Sequence, residues 1–395
     1  SNEYFSDGIS EELLNLLTKI PQLKVIARTS SFSFKGQNVP IAEIAETLNV
    51  AHVLEGSVRK SGNQVRITAQ LIRASDSVHL WSESYDRTLD NIFAVQDEIA
   101  GAVVDALSLT LLGGAPRVEQ IKPEAYALYL QAMYLNAQGN AEAYEQSIAL
   151  YKQALAIAPD YVAAWQGLVV NYGRQVNDGL LPLVEGYALQ AEAINQSLAI
   201  DPDSAEAHTS LGYFSMNYDH DLAAAARHFK YALSQEPTNL TVIHGCASLM
   251  FRLGRLEEAI ALREYRVAHD PLGPVGHTSL AGAYLWAGRP DEAIASSRTA
   301  LMLAPGRRGA QSMLGMALLL KGETEAALEA IQQAPAEVYR LSGLVRIYHA
   351  LGRADESDAA LSEFIEKYEQ ERPLIIASML AYRGEADRAF TWLDK

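Results

Sequence analysis

The sequence predicts a small N-terminal α/β (α+β) domain with a mixed sheet, followed by an all-α array of repeated helix pairs wound as a right-handed superhelix. Three observations carry this. Prolines recur at near-constant spacing through the back two-thirds of the chain. Glycine-led turns recur out of phase with those prolines. The first 117 residues show a different texture, with apolar residues alternating between short turns.

In order along the chain, Tyr4–Ile20 reads as a helix, with Ser6-Asp7-Gly8 at its start and Pro21 after its end. Leu23–Arg28 reads as a strand, Ser30–Gly36 as a loop and Ile41–Leu48 as a second helix. Three strands follow, at Ala51–Arg59, Gln64–Arg73 and Val78–Tyr85, joined by Ser61-Gly62-Asn63 and Ala74-Ser75-Asp76-Ser77. Val65, Ile67, Ala69 and Leu71 share one face, as the two-residue period of a half-buried strand requires. A helix over Ile92–Leu112 then leads through Gly113-Gly114-Ala-Pro116 into the repeats. That stretch sets the expected boundary, 1–117 against 118–395.

From about Pro123 the period takes over. Pro159, Pro202, Pro237, Pro271 and Pro305 each end a helical pattern, at spacings of 43, 35, 34 and 34. Proline cannot continue a helix and restrains the residue before it. The second mark is Gly254-Arg-Leu-Glu-Glu-Ala259-Ile260, repeated at Gly288, Gly322, Gly352 and Gly384. The glycine is expected to end a helix in the left-handed conformation, and the acidic residues to start the next one at its positive end. An alanine five residues on, as at Ala259 and Ala293, lets two helix backbones approach. About seven and a half helix pairs are expected. The second carries about nine extra residues in the 173–186 stretch, as a longer loop or longer helices.

Trp165-Gln-Gly-Leu168-Val-Val-Asn-Tyr172 and His277-Thr-Ser-Leu280-Ala281-Gly-Ala-Tyr284 resemble the first helix of the tetratricopeptide repeat, and Leu314-Gly315 continues the match. That resemblance implies a groove lined by first helices. Its positions fall at Gln166, Val170 and Arg174; Thr209, Tyr213 and Asn217; His244, Ser248 and Arg252; Thr278, Gly282 and Trp286; and Ser312, Met316 and Leu320. The mixture suits an extended peptide with apolar side chains. It lacks the dense Lys/Arg/Asn clamp that holds a terminal carboxylate. The competing expectation is that Trp286, Met316 and Leu320 are covered by neighbouring helices.

The N-terminal segment carries its own resemblance. Tyr4-Phe-Ser-Asp-Gly-Ile-Ser-Glu-Glu-Leu13, Val25-Ile-Ala-Arg-Thr-Ser-Ser-Phe32, Leu48–Arg59, His79–Arg87 and Phe93–Ala100 together resemble the TolB amino-terminal-like domain found ahead of tetratricopeptide arrays in bacterial signalling proteins. Such proteins often begin with a class III adenylate cyclase domain or a CadC-type winged helix, frequently behind a membrane helix. The resemblance implies a regulatory segment whose output domain lies outside this chain. It places the segment in the periplasm if a membrane helix precedes it, and in the cytoplasm otherwise. Members usually carry a further apolar strand before the first helix, so one sheet edge is expected to be unfilled. The chain opens directly into a helical pattern and stops inside an eighth unit, so a fragment of a longer protein is expected.

Charge narrows the partners. Net charge is −16, of which the first 117 residues carry 10 basic and 14 acidic groups. Nucleic-acid affinity needs clustered Lys and Arg, so protein or peptide partners are expected, or a homo-oligomer. The acidity serves solubility or a preference for basic partners. Cys246, the one cysteine, is expected in the core and excludes a disulfide framework. No P-loop or nucleophile elbow is present. Tyr218-Asp219-His220-Asp221 is read as a helix cap rather than a metal site. Arg59, Arg66 and Arg73, with Glu55 and Glu83, are read as a solvated sheet face, and Trp81 and Tyr85 as packed on a helix. No cofactor, metal or catalytic residue is assigned. The rival reading is an enzyme with a hydrolytic or nucleotide site in the small domain.

Overall fold

A computed structural model describes residues 3–20, 22–88, 92–107, 121–307 and 309–393. The chain divides into two compact units between Leu249 and Met250.

Unit 1 begins with helix α1 (Glu3–Thr18). Its apolar residues Phe5 and Ile9 are buried at 0% and 2% exposure. The expected strand at 23–28 is not in the sheet. Residues 23–27 are extended without a ladder, and Arg28–Phe32 forms a short helix, α2. The serines explain the helix in place of the expected loop. Ser31 Oγ donates to the Ala27 carbonyl at 3.1 Å and Ser33 Oγ to that of Ser30 at 2.6 Å, so side chains close the turn locally. Without that strand the sheet is purely antiparallel, not mixed. After α3 (Ile41–Leu48) come β1 (His52–Ser61), β2 (Gln64–Arg73) and β3 (Val78–Thr88), in the order β1-β2-β3.

The central strand shows the predicted alternation. Val65, Ile67, Ala69 and Leu71 are buried. Arg66, Thr68 and Gln70 between them are exposed or half-buried, and Arg66 makes a two-pronged contact with Asp86 on β3 at 2.6 and 2.9 Å. The alternation breaks at Leu71–Ile72, where both side chains are buried and the register with β3 shifts. Helix α4 (Ile92–Ala106) covers the apolar face through Phe93, Val95 and Ile99. Tyr85 is buried in the same core, and Trp81 packs at its margin. The expected end of α4 at Leu112, the Gly113–Pro116 linker and the 117/118 boundary lie outside the described residues.

The helix pairs begin with α5 (Pro123–Gln138) and α6 (Ala141–Ile157), then α7 (Val162–Asn177) and α8 (Leu183–Ile200), α9 (Ala205–Asn217) and α10 (Leu222–Gln235), and α11 (Leu240–Arg252). The second pair absorbs its extra residues by lengthening both helices. α7 and α8 run to 16 and 18 residues, where α9 and α10 have 13 and 14. Asp221 caps α10 by accepting the Ala224 N–H at 2.8 Å, as the cap reading expects. Cys246 is buried.

Unit 2 continues with α12 (Leu256–His269), α13 (Pro274–Trp286), α14 (Pro290–Leu303), α15 (Ala310–Lys321) and α16 (Thr324–Gln332). The last pairs are α17 (Glu337–Ala350) with α18 (Ala354–Tyr368), and α19 (Pro373–Tyr382) with α20 (Ala386–Leu393). Each of the five marker prolines stands two residues after the end of α6, α8, α10, α12 or α14. The glycines between paired helices, Gly254, Gly288, Gly322, Gly352 and Gly384, have φ between 71° and 86°. The residues five positions on, Ala259, Ala293, Ala327, Ser357 and Ala389, are all buried. No described helix is long and apolar enough to cross a membrane.

Candidate functional site

The residues expected to line a groove separate into distinct environments. In unit 1, Gln166 is 1% exposed and its amide is used inside the fold. Nε2 donates to Ser197 Oγ at 2.8 Å, and Oε1 accepts from Ser210 at 2.9 Å. Thr209 is buried, its hydroxyl turned back to the Ala205 carbonyl. Neither side chain is open to a ligand, because close approach of neighbouring first helices covers them. Arg174 keeps solvent contact while Nη1 donates to the Asn136 carbonyl at 2.6 Å, tying the first two pairs together. Tyr213 lies half-buried, edge-on to Phe229 with ring centroids 5.3 Å apart. His244 and Ser248 are half-buried along α11, and Asn217 and Arg252 are exposed at helix ends.

In unit 2, Ser312 is buried and Thr278 donates to the Pro274 carbonyl at 2.8 Å. Trp286, in contrast, is 70% exposed, stands edge-on to Phe251, and is joined by Leu320 at 54% exposure. Met316 is half-buried. An exposed tryptophan and leucine stand at equivalent ends of successive first helices, α13 and α15, and exposed apolar residues that gather in one patch mark interaction surfaces.

Apart from Gly8 inside a helix, local sequence pattern carries no signal for what lies on the first-helix face of unit 1. Helix α1 crosses it. Tyr4 lies beside Gln131, Tyr134 and Leu135 of α5. Gly8 meets α5 so closely that a Cβ there would lie 2.4 Å from Leu130 Cδ2. Tyr129 of α5 donates to Glu12 at 3.5 Å. At the far end, Thr238, in the turn before α11, donates to the Thr18 carbonyl at 2.7 Å. A 16-residue helix is about 24 Å long, enough to run from the first pair to the turn that opens the fourth. Tyr4, Gly8 and Glu12 are spaced at i, i+4, so one stripe of α1 faces the repeats. Phe5 and Ile9, on the adjoining face, enter the core shared with the sheet and α4.

The electrostatics of this contact are unusual. Burial pushes the Glu12 carboxyl up to about 7, with the charges of Glu11 and Glu206 adding to the rise. Glu206, at the start of α9, keeps solvent contact, yet the surrounding protein pushes it to about 7 as well, with Glu236 contributing. Lys19 opposes both shifts, and no ion pair joins it to either among the described residues. Glu11 is also raised by burial, against the opposing charges of Arg28 and Arg174. No group of three or more potential metal ligands occurs among the described residues.

The comparisons agree with this architecture. The tetratricopeptide repeat model matches residues 216–264. A 202-residue stretch is 38% identical to "Putative adenylate cyclase 3" of Rhizobium meliloti (strain 1021), covering 49% of this chain and 34% of that protein. The match thus spans about a third of that relative's length. Among solved structures, a monomeric mutant of IFIT1 with m7Gppp-AAAA has a TM-score of 0.53 at 12% identity, over 76% of this chain and 75% of that one. PilF of Pseudomonas aeruginosa has a TM-score of 0.42 at 18% identity, over 56% and 96%. The chain is a small three-stranded antiparallel α/β segment followed by helix pairs of the tetratricopeptide type.

Proposed function

We propose that this chain is a non-catalytic, protein-binding sensor or scaffold segment of a bacterial signalling protein. The observation that carries the reading is the exposed Trp286–Leu320 patch on the first helices of unit 2. Large apolar side chains left in water are costly without a partner, and a tryptophan beside aliphatic neighbours is a frequent binding hot spot. In unit 2, Met316, the exposed Arg252 and Thr278 at half-depth complete the candidate contact set; in unit 1, Asn217, Tyr213, His244 and Ser248 form a separate candidate set. The similarity to a protein named as an adenylate cyclase favours a second, narrower reading: a regulatory segment of a class III cyclase whose catalytic domain lies outside this stretch. The TolB-like resemblance of the first residues supports the same placement. The capped RNA named with IFIT1 does not transfer, because a net charge of −16 repels a polyanion.

The test is direct capture from extracts of the source cells, followed by binding measurements on the captured protein. Trp286→Ala with Leu320→Ala should weaken binding by about tenfold or more. Unchanged affinity argues against the patch, and catalytic turnover by the isolated chain would sink the non-catalytic reading.

A further inference from the structure

We propose that His208 and His228 form a one-proton latch on the third helix pair, closed while the two rings carry at most one added proton and opened by a second, so that α9 and α10 loosen in mildly acidic solution. The latch stands whether or not the chain binds a protein partner. α9 also carries Tyr213 and Asn217 of the unit 1 contact set, so opening the latch disturbs that set.

The geometry is that of a single shared proton. His208 on α9 and His228 on α10 bring their Nδ1 atoms to 3.0 Å. The ring centroids lie 5.3 Å apart, the nitrogen gap plus a ring radius on each side, so the two nitrogens meet head-on. A metal ion would need both lone pairs to converge on a point off that line, about 2.0–2.1 Å from each nitrogen, and facing lone pairs do not converge. His208 Nε2 also meets the Pro202 carbonyl at 3.0 Å. A carbonyl only accepts, so Nε2 carries the proton and, in the neutral ring, Nδ1 is a lone pair. His228 must then donate from its own Nδ1. Tyr231 of α10 packs against the His208 ring, with centroids 4.4 Å apart, and its hydroxyl donates to Asp203 at 2.6 Å.

Counting protons gives the switch. With one added proton both Nε2 atoms are protonated and a single proton lies between the two Nδ1 atoms, so the bond persists. A second must land on the lone pair that accepts that bond. Two N–H groups then face each other at 3.0 Å, each on a charged ring, and both the lost bond and the like charges oppose closure. Burial lowers His228, and the charges of His208 and Arg227 add to the fall. Asp201 and Asp203, in the turn before α9, act on Tyr231. Glu206, at the start of α9 and pushed up to about 7, titrates in the same window with the opposite sign. A histidine held low in the folded chain lets the unfolded chain take the proton first. The pair's contribution to stability is therefore full above about pH 6.5 and falls below it.

The experiment compares the full chain with its His228→Asn and His228→Leu variants by hydrogen exchange at about pH 7.5 and about pH 5, either side of the ordinary histidine value, with rates corrected for the intrinsic effect of pH. Asparagine sets a donor and an acceptor near the Nδ1 position and does not titrate, so His228→Asn keeps the latch shut at both values. Leucine removes it at both. Peptides from α9 and α10 of the wild type should lose about tenfold in protection at the lower pH relative to His228→Asn, while those from α5 and α6 should not. His228→Leu should be less protected than wild type at the higher pH. Glu206 is common to all three chains, so its titration cancels. Nitrogen-15 NMR of the wild-type histidines at the higher pH reads the tautomers directly: Nε2–H on His208 and Nδ1–H on His228. That measurement tests the latch even where circular dichroism shows a variant to be unfolded. Nε2–H on both rings, equal acid sensitivity in wild type and His228→Asn, or wild-type protection in His228→Leu overturns the proposal.

Discussion

Trp165 Nε1 donates to the carbonyl of Pro159, six residues earlier, at 3.0 Å. The same six-residue bond recurs with different chemistry. His208 Nε2 meets the Pro202 carbonyl at 3.0 Å, His277 Nε2 that of Pro271 at 2.8 Å, and Arg340 Nη1 that of Ala334 at 3.1 Å. The aromatic slot of the repeat therefore also supplies a donor that fastens a first helix to the turn before it. Both histidines must carry their proton on Nε2 to donate. Trp165→Phe and His277→Ala should each lower stability by about 1 kcal/mol through loss of the bond, with His277→Ala also losing ring contacts. Urea unfolding of each variant checks this, and no change for Trp165→Phe would show that the bond is without net value.

Gly288 and Gly352 end first helices at φ of 71° and 72°, with nothing within 4 Å of a Cβ at either position. Space is thus available for alanine, and only the backbone objects. Gly352→Ala should cost about 1–2 kcal/mol, and Gly352→Asn less, since asparagine tolerates the left-handed region. Equal stability of the two variants would contradict the backbone account.

Glu12 and Glu206 are raised from 4.5 to about 7 in the folded chain. Between those values the folded state holds protons that the unfolded state releases, so their contribution to stability falls as pH rises through that window. Glu206 adds to the rise at Glu12, after burial and the charge of Glu11. Glu12→Gln and Glu206→Gln should each flatten the fall between pH 4.5 and 7 and leave the chain more stable than wild type above it. Thermal melts across that range, read against wild type, test the sign.

Arg263 is 7% exposed, lies 4.8 Å from the Phe251 ring centroid and donates to the Ser279 carbonyl at 2.7 Å. Burial lowers its guanidinium to about 10, and no ion pair with a carboxylate is seen among the described residues. A desolvated charge without a counter-ion is a poor stabiliser, so Arg263→Met should leave stability unchanged or raise it by about 1 kcal/mol. Arg263→Ala should cost about 2 kcal/mol through the cavity it leaves. A large loss for the methionine variant would show that the cation itself holds α12 in place.

The repeats were legible because their signals are local. A proline two residues past Ile157 or His269, and a glycine at 254 or 288, dictate backbone geometry whatever lies around them. The 23–28 segment misled because its alternation satisfies a strand, while membership of a sheet depends on a neighbour that local pattern does not supply. The groove positions were legible as a helix face but not as exposure. Gln166 and Thr209 sit at the expected positions of their own first helices, yet they are buried and hydrogen-bonded inside unit 1, while Trp286 in unit 2 is exposed. The path of α1 across the repeats left one trace in the sequence, Gly8 inside a helix. A glycine in a helix costs stability, and here it leaves room for the Leu130 side chain.

The contact of Gly8 with Leu130, the 4.7 Å packing of Phe93 on Tyr126 and the bond from Gln96 to the Tyr126 hydroxyl at 3.0 Å weld the small domain to the first helix pair. Repeat arrays ordinarily melt as a series of neighbours, with terminal units fraying first. Here the amino-terminal pair is not a terminus in the thermodynamic sense. Its outer surface is interior to a larger cooperative block, so the sheet and the leading repeats should gain and lose hydrogen-exchange protection together.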